Sequence, residues 1–293
     1  MPVYNGANYL AETLDCWLRQ DYAEFRMLVS DNASIDATPD ILAEYQRRDS
    51  RIVVKRREST VEAAENFNGL PLEAETPYFG WSAHDDLREP AFLGKLVATL
   101  DKHPDAVLAY TRVQHLKEGQ DPAERRTYYE VDPPGSERSG LWRAIGVLRR
   151  ARSWGLFYGL MRLPAVVRTH LFHTPMGLVA DVGFVLELAT LGSFVCVPEV
   201  LLRLRIHAES MSATSVDSMF DDARGRRLDA EARAFIETFP LSQSEKTLLL
   251  REVTIWCTKG KPRPLWMKIP GARWSYVHGS RRLTNLMGKV RGV

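Results

Sequence analysis

Four groups of residues in this chain carry side chains able to do acid–base, metal or phosphate chemistry, and each also has a plainer reading. His84-Asp85-Asp86 sets two carboxylates side by side. Hard cations such as Mg²⁺ and Mn²⁺ prefer such oxygens and keep several waters, so one or two aspartates suffice to hold one. The same residues also serve as turns and helix caps. Asp31-Asn32-Ala33-Ser34 offers a carboxylate that either accepts a ligand N–H or closes an Asx-turn on its own backbone. Asp181 precedes an apolar stretch, where a carboxylate caps a helix or, in a pocket, takes up a proton. In Arg205-Ile206-His207 the guanidinium is a rigid fork suited to phosphate oxygens, while a histidine after a strand is more often structural.

The elements that must position these groups alternate. Ala7 to Gln20 reads as a helix, because Leu10, Leu14, Trp17 and Leu18 share one face. Phe25 to Ser30 reads as a buried strand ending at Asp31. Thr38-Pro39 opens a helix, with Thr38 as N-cap and Pro39 at the first helical position. Ile52 to Lys55 is a strand, Val61 to Leu70 a helix, and Tyr78 to Ser82 a strand running into His84. Pro90 to Leu100 is a helix and Ala106 to Tyr110 a strand. Such alternation implies βαβ crossovers and a parallel sheet, whose ligands sit beyond the carboxyl ends of the strands. Tyr4-Asn5-Gly6, Asp31 to Ser34 and His84 to Asp86 all fall at those ends.

Residues 120–140 turn polar and rich in Pro and Gly, and a loop of that length often serves as a lid or binding loop. Leu141 to Arg152 follows as a basic amphipathic helix, Val182 to Leu191 as a helix capped by Asp181, and Phe194 to Leu204 as a strand. Helices are expected over Leu228 to Glu237 and Ser242 to Trp256.

Composition narrows the class. The chain has 293 residues, 45% hydrophobic and 26% charged, an ordinary globular mixture with room for a real core. Its longest charge-free stretch, Thr169 to Ala180, has 12 residues, too few for a spanning helix. The opening MPVYNGANYL lacks the features of a signal peptide. Cys16, Cys196 and Cys257 are odd in number and far apart, which gives neither a disulfide framework nor a zinc site and favours a reducing cytoplasm. The net charge of +2 divides into +9 for Val253 to Val293 and −7 for the rest. A basic tail of this kind meets an anionic surface or is simply solvated; both readings stand.

PVYNG before a helix, SDNASIDAT, a strand ending in HDD, ADVGFVLELATLG and LLRLRIHAESMS stand in the order seen in family 2 glycosyltransferases. The chain resembles that family from about Met1 to Ser212. The resemblance implies an α/β GT-A fold, a Rossmann-like, mostly parallel sheet flanked by helices, over residues 1–215. A helical C-terminal extension with its basic tail would occupy 216–293. It also implies inverting transfer of a sugar from a nucleotide donor, UDP- or dTDP-linked by preference, to a hydroxyl acceptor, in bacterial surface polysaccharide or lipopolysaccharide synthesis by default.

Residue by residue, the resemblance makes Asp86 the ligand of Mg²⁺ or Mn²⁺ and places Asp85 on the donor's ribose or sugar. Asp31 would accept the imide N–H of uracil or thymine, with Pro2, Val3 and Tyr4 shaping the nucleoside pocket. Asn66 would help to hold the donor, Arg205 and His207 the pyrophosphate, and Asp181 would be the general base. The acceptor would be a saccharide or lipid-linked saccharide, with residues 253–293 against the inner face of an anionic membrane. No recognition motif for nucleic acid accompanies the basic charge. Two departures stand out: His84 occupies the first position of the DxD-like triplet, and the first strand is cut short, which predicts an upstream extension and low stability without it. A non-catalytic nucleotide-sugar-binding scaffold is the alternative. A sugar-nucleotide pyrophosphorylase fits less well, since YNGANYL lacks a glycine-rich basic loop.

Overall fold

Two strands that alternate inward and outward set the position of the first acidic group. In the computed structural model Pro2–Val3 forms β1 and Met27–Asp31 forms β2, paired in parallel. Along β2 the side chains of Met27, Val29 and Asp31 are buried while those between are not, as the two-residue period of a strand demands. Asp31 is thereby turned to the covered side of the sheet. Ile52–Arg56 adds β3, parallel to β2, in the order β1-β2-β3. Parallel neighbours need crossovers, and α1 (Ala7–Leu18) and α2 (Thr38–Arg48) supply them. Leu10 and Leu14 of α1 and Leu42 and Tyr45 of α2 pack with Val3, Met27, Val29 and Ile52 into one apolar cluster.

Further along come α3 (Ala63–Leu72), β4 (Tyr78–Phe79), β5 (Leu87–Arg88), α4 (Phe92–Lys102) and β6 (Ala106–Lys117). Then follow β7 (Thr127–Tyr128), α5 (Gly140–Arg150), a 3₁₀ turn at Trp154–Leu156, β8 (Leu160–Arg162) and α6 (Leu163–Val166). Last come α7 (Ala180–Leu191), β9 (Ser193–Ile206), a helix over 230–236 and α8 (Gln243–Lys259). The structure describes residues 1–117, 127–128, 137–150, 154–172, 180–207 and 230–259. All belong to one unit, Met1–Lys261. The expected domain boundary at 215 and the basic residues beyond Lys259 lie outside the described residues.

The second sheet runs β4-β8-β6-β9-β5, with β7 also paired to β6. Only β6 and β9 are parallel; β4, β5, β7 and β8 pair antiparallel. The α/β class read from the sequence is the class found, and the strands missing from that reading are the short ones. The strand expected over Tyr78 to Ser82 stops at Phe79. A Cβ on Gly80 would lie 2.8 Å from the Gly159 carbonyl oxygen, and one on Gly159 only 2.4 Å from that of Ala109. These glycines let β8 enter flat against β6 while the chain after β4 turns away, carrying Trp81 into an aromatic cluster. The Trp81 ring stacks on Phe157 and Phe172 and meets Phe184 edge-on.

Because the nearest atom facing Gly159, the Ala109 carbonyl oxygen, is backbone, it cannot swing aside. Gly159→Ala is therefore expected to destabilise the fold by about 1–3 kcal/mol, the usual cost of overpacking. A melting temperature equal to that of the wild type would show that β8 has room to shift.

Thr38, expected as an N-cap, is the first helical residue of α2 instead. Its backbone N–H donates to Asp36 Oδ1 at 2.9 Å, and its own Oγ1 accepts the N–H of Gly6 at 2.8 Å. Asp36 does the capping, and the threonine hydroxyl ties α2 to the start of α1. At the far end, Ser242 and Glu245 form a capping box before α8: Ser242 N–H donates to Glu245 Oε2 at 2.9 Å, and Glu245 N–H to Ser242 Oγ at 3.4 Å. Leu249, Val253 and Trp256 of α8 then join the main core.

Candidate functional site

The carboxyl ends of β1 and β2 carry two loops zipped to each other. Asn5 N–H donates to Ser34 Oγ at 2.9 Å, and Ile35 N–H returns a bond to Asn5 Oδ1 at 2.9 Å. Asn5 (φ 50°) and Ala33 (φ 58°) both take left-handed backbone. Asparagine tolerates this; at alanine it stores strain of the kind that gathers at functional sites. Pro2 and Val3 are buried, and Tyr4 stands 46% exposed at the mouth.

Asp31, 1% exposed, accepts Ser34 N–H on Oδ1 at 3.0 Å, so the Asx-turn is made. Its Oδ2 has no hydrogen-bond partner among the described residues, although Arg56 Nη1 lies 3.2 Å away. Asp31 is thus held by one hydrogen bond and by the ion pair with Arg56, and Oδ2 keeps lone-pair capacity for a further N–H. Asn66 is buried and fully engaged: its Oδ1 accepts from Ser30 Oγ at 2.6 Å and from Arg57 Nε at 3.0 Å, and its Nδ2 donates to the Ser30 carbonyl. It braces β2 against α3.

The His84-Asp85-Asp86 turn is carried by β5. Its two residues pair with Arg203 and Leu202 of β9, which draws the turn alongside Arg205 and His207. Asp86 is 4% exposed, and its Oδ1 accepts the backbone N–H of Arg205 at 3.0 Å. Asp85 Oδ2 lies 3.0 Å from His207 Nε2. The Arg205 guanidinium donates to the Asp85 carbonyl at 3.0 Å and to Glu12 Oε2 at 2.5 Å, and it covers the Tyr9 ring. Tyr9 in turn packs on His207, ring centres 4.6 Å apart. A Cβ on Gly6 would lie 2.6 Å from His84 Cδ2, so only glycine lets the turn approach α1 this closely.

Burial governs the charges. It pushes Asp86 up to about 7, aided by the neighbouring Asp85 carboxylate and opposed by Arg88 and Arg205. Burial likewise lowers His84, favouring the neutral ring. Arg88 is 4% exposed, lies over the Trp17 and Phe92 rings, and has no hydrogen-bond partner on any of its three nitrogens among the described residues. Its compensation is the negative charge of Asp86.

Asp181 falls in the first turn of α7, inside the helix rather than ahead of it. Its Oδ1 accepts Val182 N–H at 2.8 Å, so it still performs a cap's work. Burial raises it to about 6, more than that bond lowers it. Asp181 and the Asp85–Asp86 pair share a neighbour, the phenol of Tyr158, which is pushed well above its ordinary value first by burial and then by Asp86, Asp85 and Asp181. Tyr158, Arg88, Glu12 and Tyr9 are site residues that sequence reasoning missed. Arg88 alone had a sequence signal, its place two residues after Asp86 on the inward face of β5.

Among the described residues no group of three His, Cys, Asp or Glu side chains forms a ready metal cage. Mg²⁺ and Mn²⁺ need none, since one or two carboxylates with phosphate oxygens and water complete their shell. The adjacent Asp85 and Asp86 fit that requirement.

Asp31 at the end of β2, the acidic turn between β4 and β5 and Asp181 at a helix start are the carboxylates that this α/β fold offers to a candidate site. The family model for glycosyl transferase family 2 matches residues 1–162, and the chain belongs to that family. A putative teichuronic acid biosynthesis glycosyltransferase of Bacillus subtilis is 33% identical over 85 residues, 29% of this chain and 34% of that protein. Matched segments span between 13% and 37% of the length of the curated relatives. The fold is similar to solved GT-A glycosyltransferases. Staphylococcus aureus TarS 1–349, in complex with UDP-GlcNAc, aligns with a TM-score of 0.64 at 17% identity over 87% of this chain and 71% of that one. The Pyrobaculum calidifontis mannosyltransferase PcManGT, in complex with GDP-Man and Mn²⁺, aligns with a TM-score of 0.58 at 16% identity over 99% of this chain and 77% of that one.

Proposed function

We propose that this chain is an inverting glycosyltransferase. Residues 1–215 would form the transferase, moving a sugar from a UDP- or dTDP-sugar to a hydroxyl of a saccharide or lipid-linked saccharide in bacterial surface polysaccharide synthesis. The observation that carries the proposal is the acidic turn of Asp85 and Asp86 bonded to Arg205 and His207, a set of carboxylates and a guanidinium suited to a metal-bound diphosphate. A single displacement at the sugar's C1 needs a place for the departing diphosphate on one side and a base on the other.

Asp181 is the base: its carboxylate takes the proton of the acceptor hydroxyl as that oxygen attacks C1 and the C1–phosphate oxygen bond breaks. A carboxyl raised to about 6 remains ionised at neutral pH while being a better proton acceptor than an ordinary aspartate. Asp86, with Asp85, would hold Mg²⁺ or Mn²⁺, which when bound neutralises charge developing on the diphosphate. Asp31 receives the base's imide N–H on Oδ2, beside its ion pair with Arg56, and Pro2, Val3 and Tyr4 line that pocket. Arg205 and His207 stand on the acidic turn, where Arg205 can exchange Glu12 for a phosphate oxygen.

The test is a donor panel of UDP-, dTDP- and GDP-sugars with Mn²⁺, scored by thermal shift and by donor turnover. The reading expects stabilisation and turnover with uracil or thymine donors. A shift with GDP-sugars alone would remove the role of Asp31, and binding without any turnover would favour the scaffold alternative.

A further inference from the structure

Arg205 is gripped from α1 as well as from the acidic turn. Tyr9 and Glu12 stand three residues apart on α1 and so share one face of that helix. The Arg205 guanidinium lies over the Tyr9 ring, 4.7 Å from its centre. It donates from Nη2 to Glu12 Oε2 at 2.5 Å and from Nε to the Asp85 carbonyl at 3.0 Å. These three contacts are not equivalent. Two are made to fixed groups. Asp85 is held in its turn, where Oδ2 meets His207 Nε2 at 3.0 Å, and the Tyr9 ring packs on that same His207. Glu12 is different. Its side chain is 55% exposed, against 15% for Arg205, and among the described residues Arg205 is the only partner of its carboxylate. A carboxylate so far into water gives up an ion pair at little cost, because water replaces the lost N–H. A guanidinium so little exposed continues to need an anion.

The anion it is placed to take is a phosphate. Carboxylate and phosphate oxygens are both charged acceptors that fit the planar arginine fork. The Arg205 backbone N–H is bonded to Asp86 at 3.0 Å, which ties the guanidinium into the turn that receives the diphosphate in the reading above. We propose that Glu12 is a positioning residue that competes with the donor's diphosphate for Arg205. It holds the guanidinium over Tyr9, yields it to a phosphate oxygen of the donor, and takes it back as the nucleoside diphosphate leaves. The Tyr9 ring and the Asp85 carbonyl keep the fork in place during the exchange. This rests on the glycosyltransferase reading, with Arg205 as a diphosphate contact, and adds a residue that weakens the grip on the leaving group and so eases its release.

The experiment is a double-mutant cycle on UDP binding with Mn²⁺, using wild type, Glu12→Ala, Arg205→Ala and the double variant. Affinities come from calorimetry, UDP is also scored as an inhibitor of donor turnover by wild type and Glu12→Ala, and melting temperatures report the fold. Position 12 is exposed and alanine is a strong helix former, so α1 should persist. Arg205→Ala keeps the backbone N–H that bonds Asp86. With Arg205 present, Glu12→Ala should bind UDP about twofold to fivefold more tightly, the worth of a half-exposed ion pair, and UDP should inhibit its turnover more strongly by a similar factor. With Arg205→Ala in place, removing Glu12 should leave UDP affinity unchanged. Equal or weaker UDP binding by Glu12→Ala would overturn the competition and make Glu12 a support for the fork. A tightening of the same size with and without Arg205 would overturn it too, since Glu12 would then act by plain charge repulsion. A wild type that binds no UDP overturns the reading of a UDP-sugar transferase and the competition with it, whereas UDP binding that survives Arg205→Ala undiminished overturns the competition alone.

Discussion

Asp86→Asn should lose nearly all sugar transfer, by at least about a hundredfold, while still folding. The asparagine keeps an oxygen to accept the Arg205 N–H that Asp86 now holds at 3.0 Å, so β5 remains tied to β9. What disappears is the charge. An electrostatic stabiliser of a leaving group typically contributes a factor of about 10²–10³, and a metal site that loses one of two carboxylates loses affinity as well. UDP binding in the variant should therefore no longer improve when Mn²⁺ is added. Both substitutions leave the buried Arg88 without its counter-charge, and Asp86→Ala is the harsher because it also strips the Arg205 N–H of its acceptor. Breaking such a buried pair costs about 3–5 kcal/mol, so both variants should melt below the wild type and their activity is scored at a temperature where each is still folded. An Asp86→Asn protein whose UDP affinity still rises with Mn²⁺ as in wild type would remove Asp86 from the metal site.

The parts of this site that were legible in the sequence are those carried by local pattern. The i, i+4 spacing of Leu10 and Leu14 gave α1, and the short run from Phe25 to Ser30 gave the buried strand that ends at Asp31. The order of acidic and polar clusters at successive strand ends pointed to one edge of a sheet. What escaped depends on partners far along the chain. Thr38 looks like a cap because nothing local reveals that Gly6, 32 residues earlier, will claim its hydroxyl. The Tyr78 strand seems to run to Ser82 until Gly159 meets Gly80 across β8, a strand of three residues with too little length for any period to show. Arg205 reads as a free phosphate fork, yet Glu12, 193 residues away, holds it. Asn66, matched by resemblance to a donor contact, also bonds Ser30 and Arg57, which no local pattern reveals.

Asp181→Asn should separate catalysis from stability more cleanly than any other change. Two demands meet at this residue. As a helix-start acceptor it needs one oxygen for Val182 N–H, bonded at 2.8 Å, and asparagine supplies that about as well. As the base it needs a carboxylate, which asparagine lacks. General-base catalysis contributes about 10²–10⁴-fold, or about 3–5 kcal/mol of barrier at 1.36 kcal/mol per decade. Transfer should fall by at least about a hundredfold with donor binding unchanged. Stability should move the other way. The folded protein holds the Asp181 proton more tightly than the unfolded chain does, with a pKa of about 6 against an ordinary 3.8. Between those values the native state binds more protons, so stability declines as pH climbs from about 4 to about 6 and stays reduced above. Asparagine carries no charge to desolvate. The variant should therefore unfold at an equal or higher temperature than wild type at pH 7.5, by up to about 3 kcal/mol in free energy, and the gap should close toward pH 4. The wild-type rate should fall on the acid side with an apparent pKa near 6, and that limb should vanish from the variant's residual activity. A variant that keeps most of its transfer rate with its acid limb intact would leave Asp181 as a helix cap and move the base to another carboxylate.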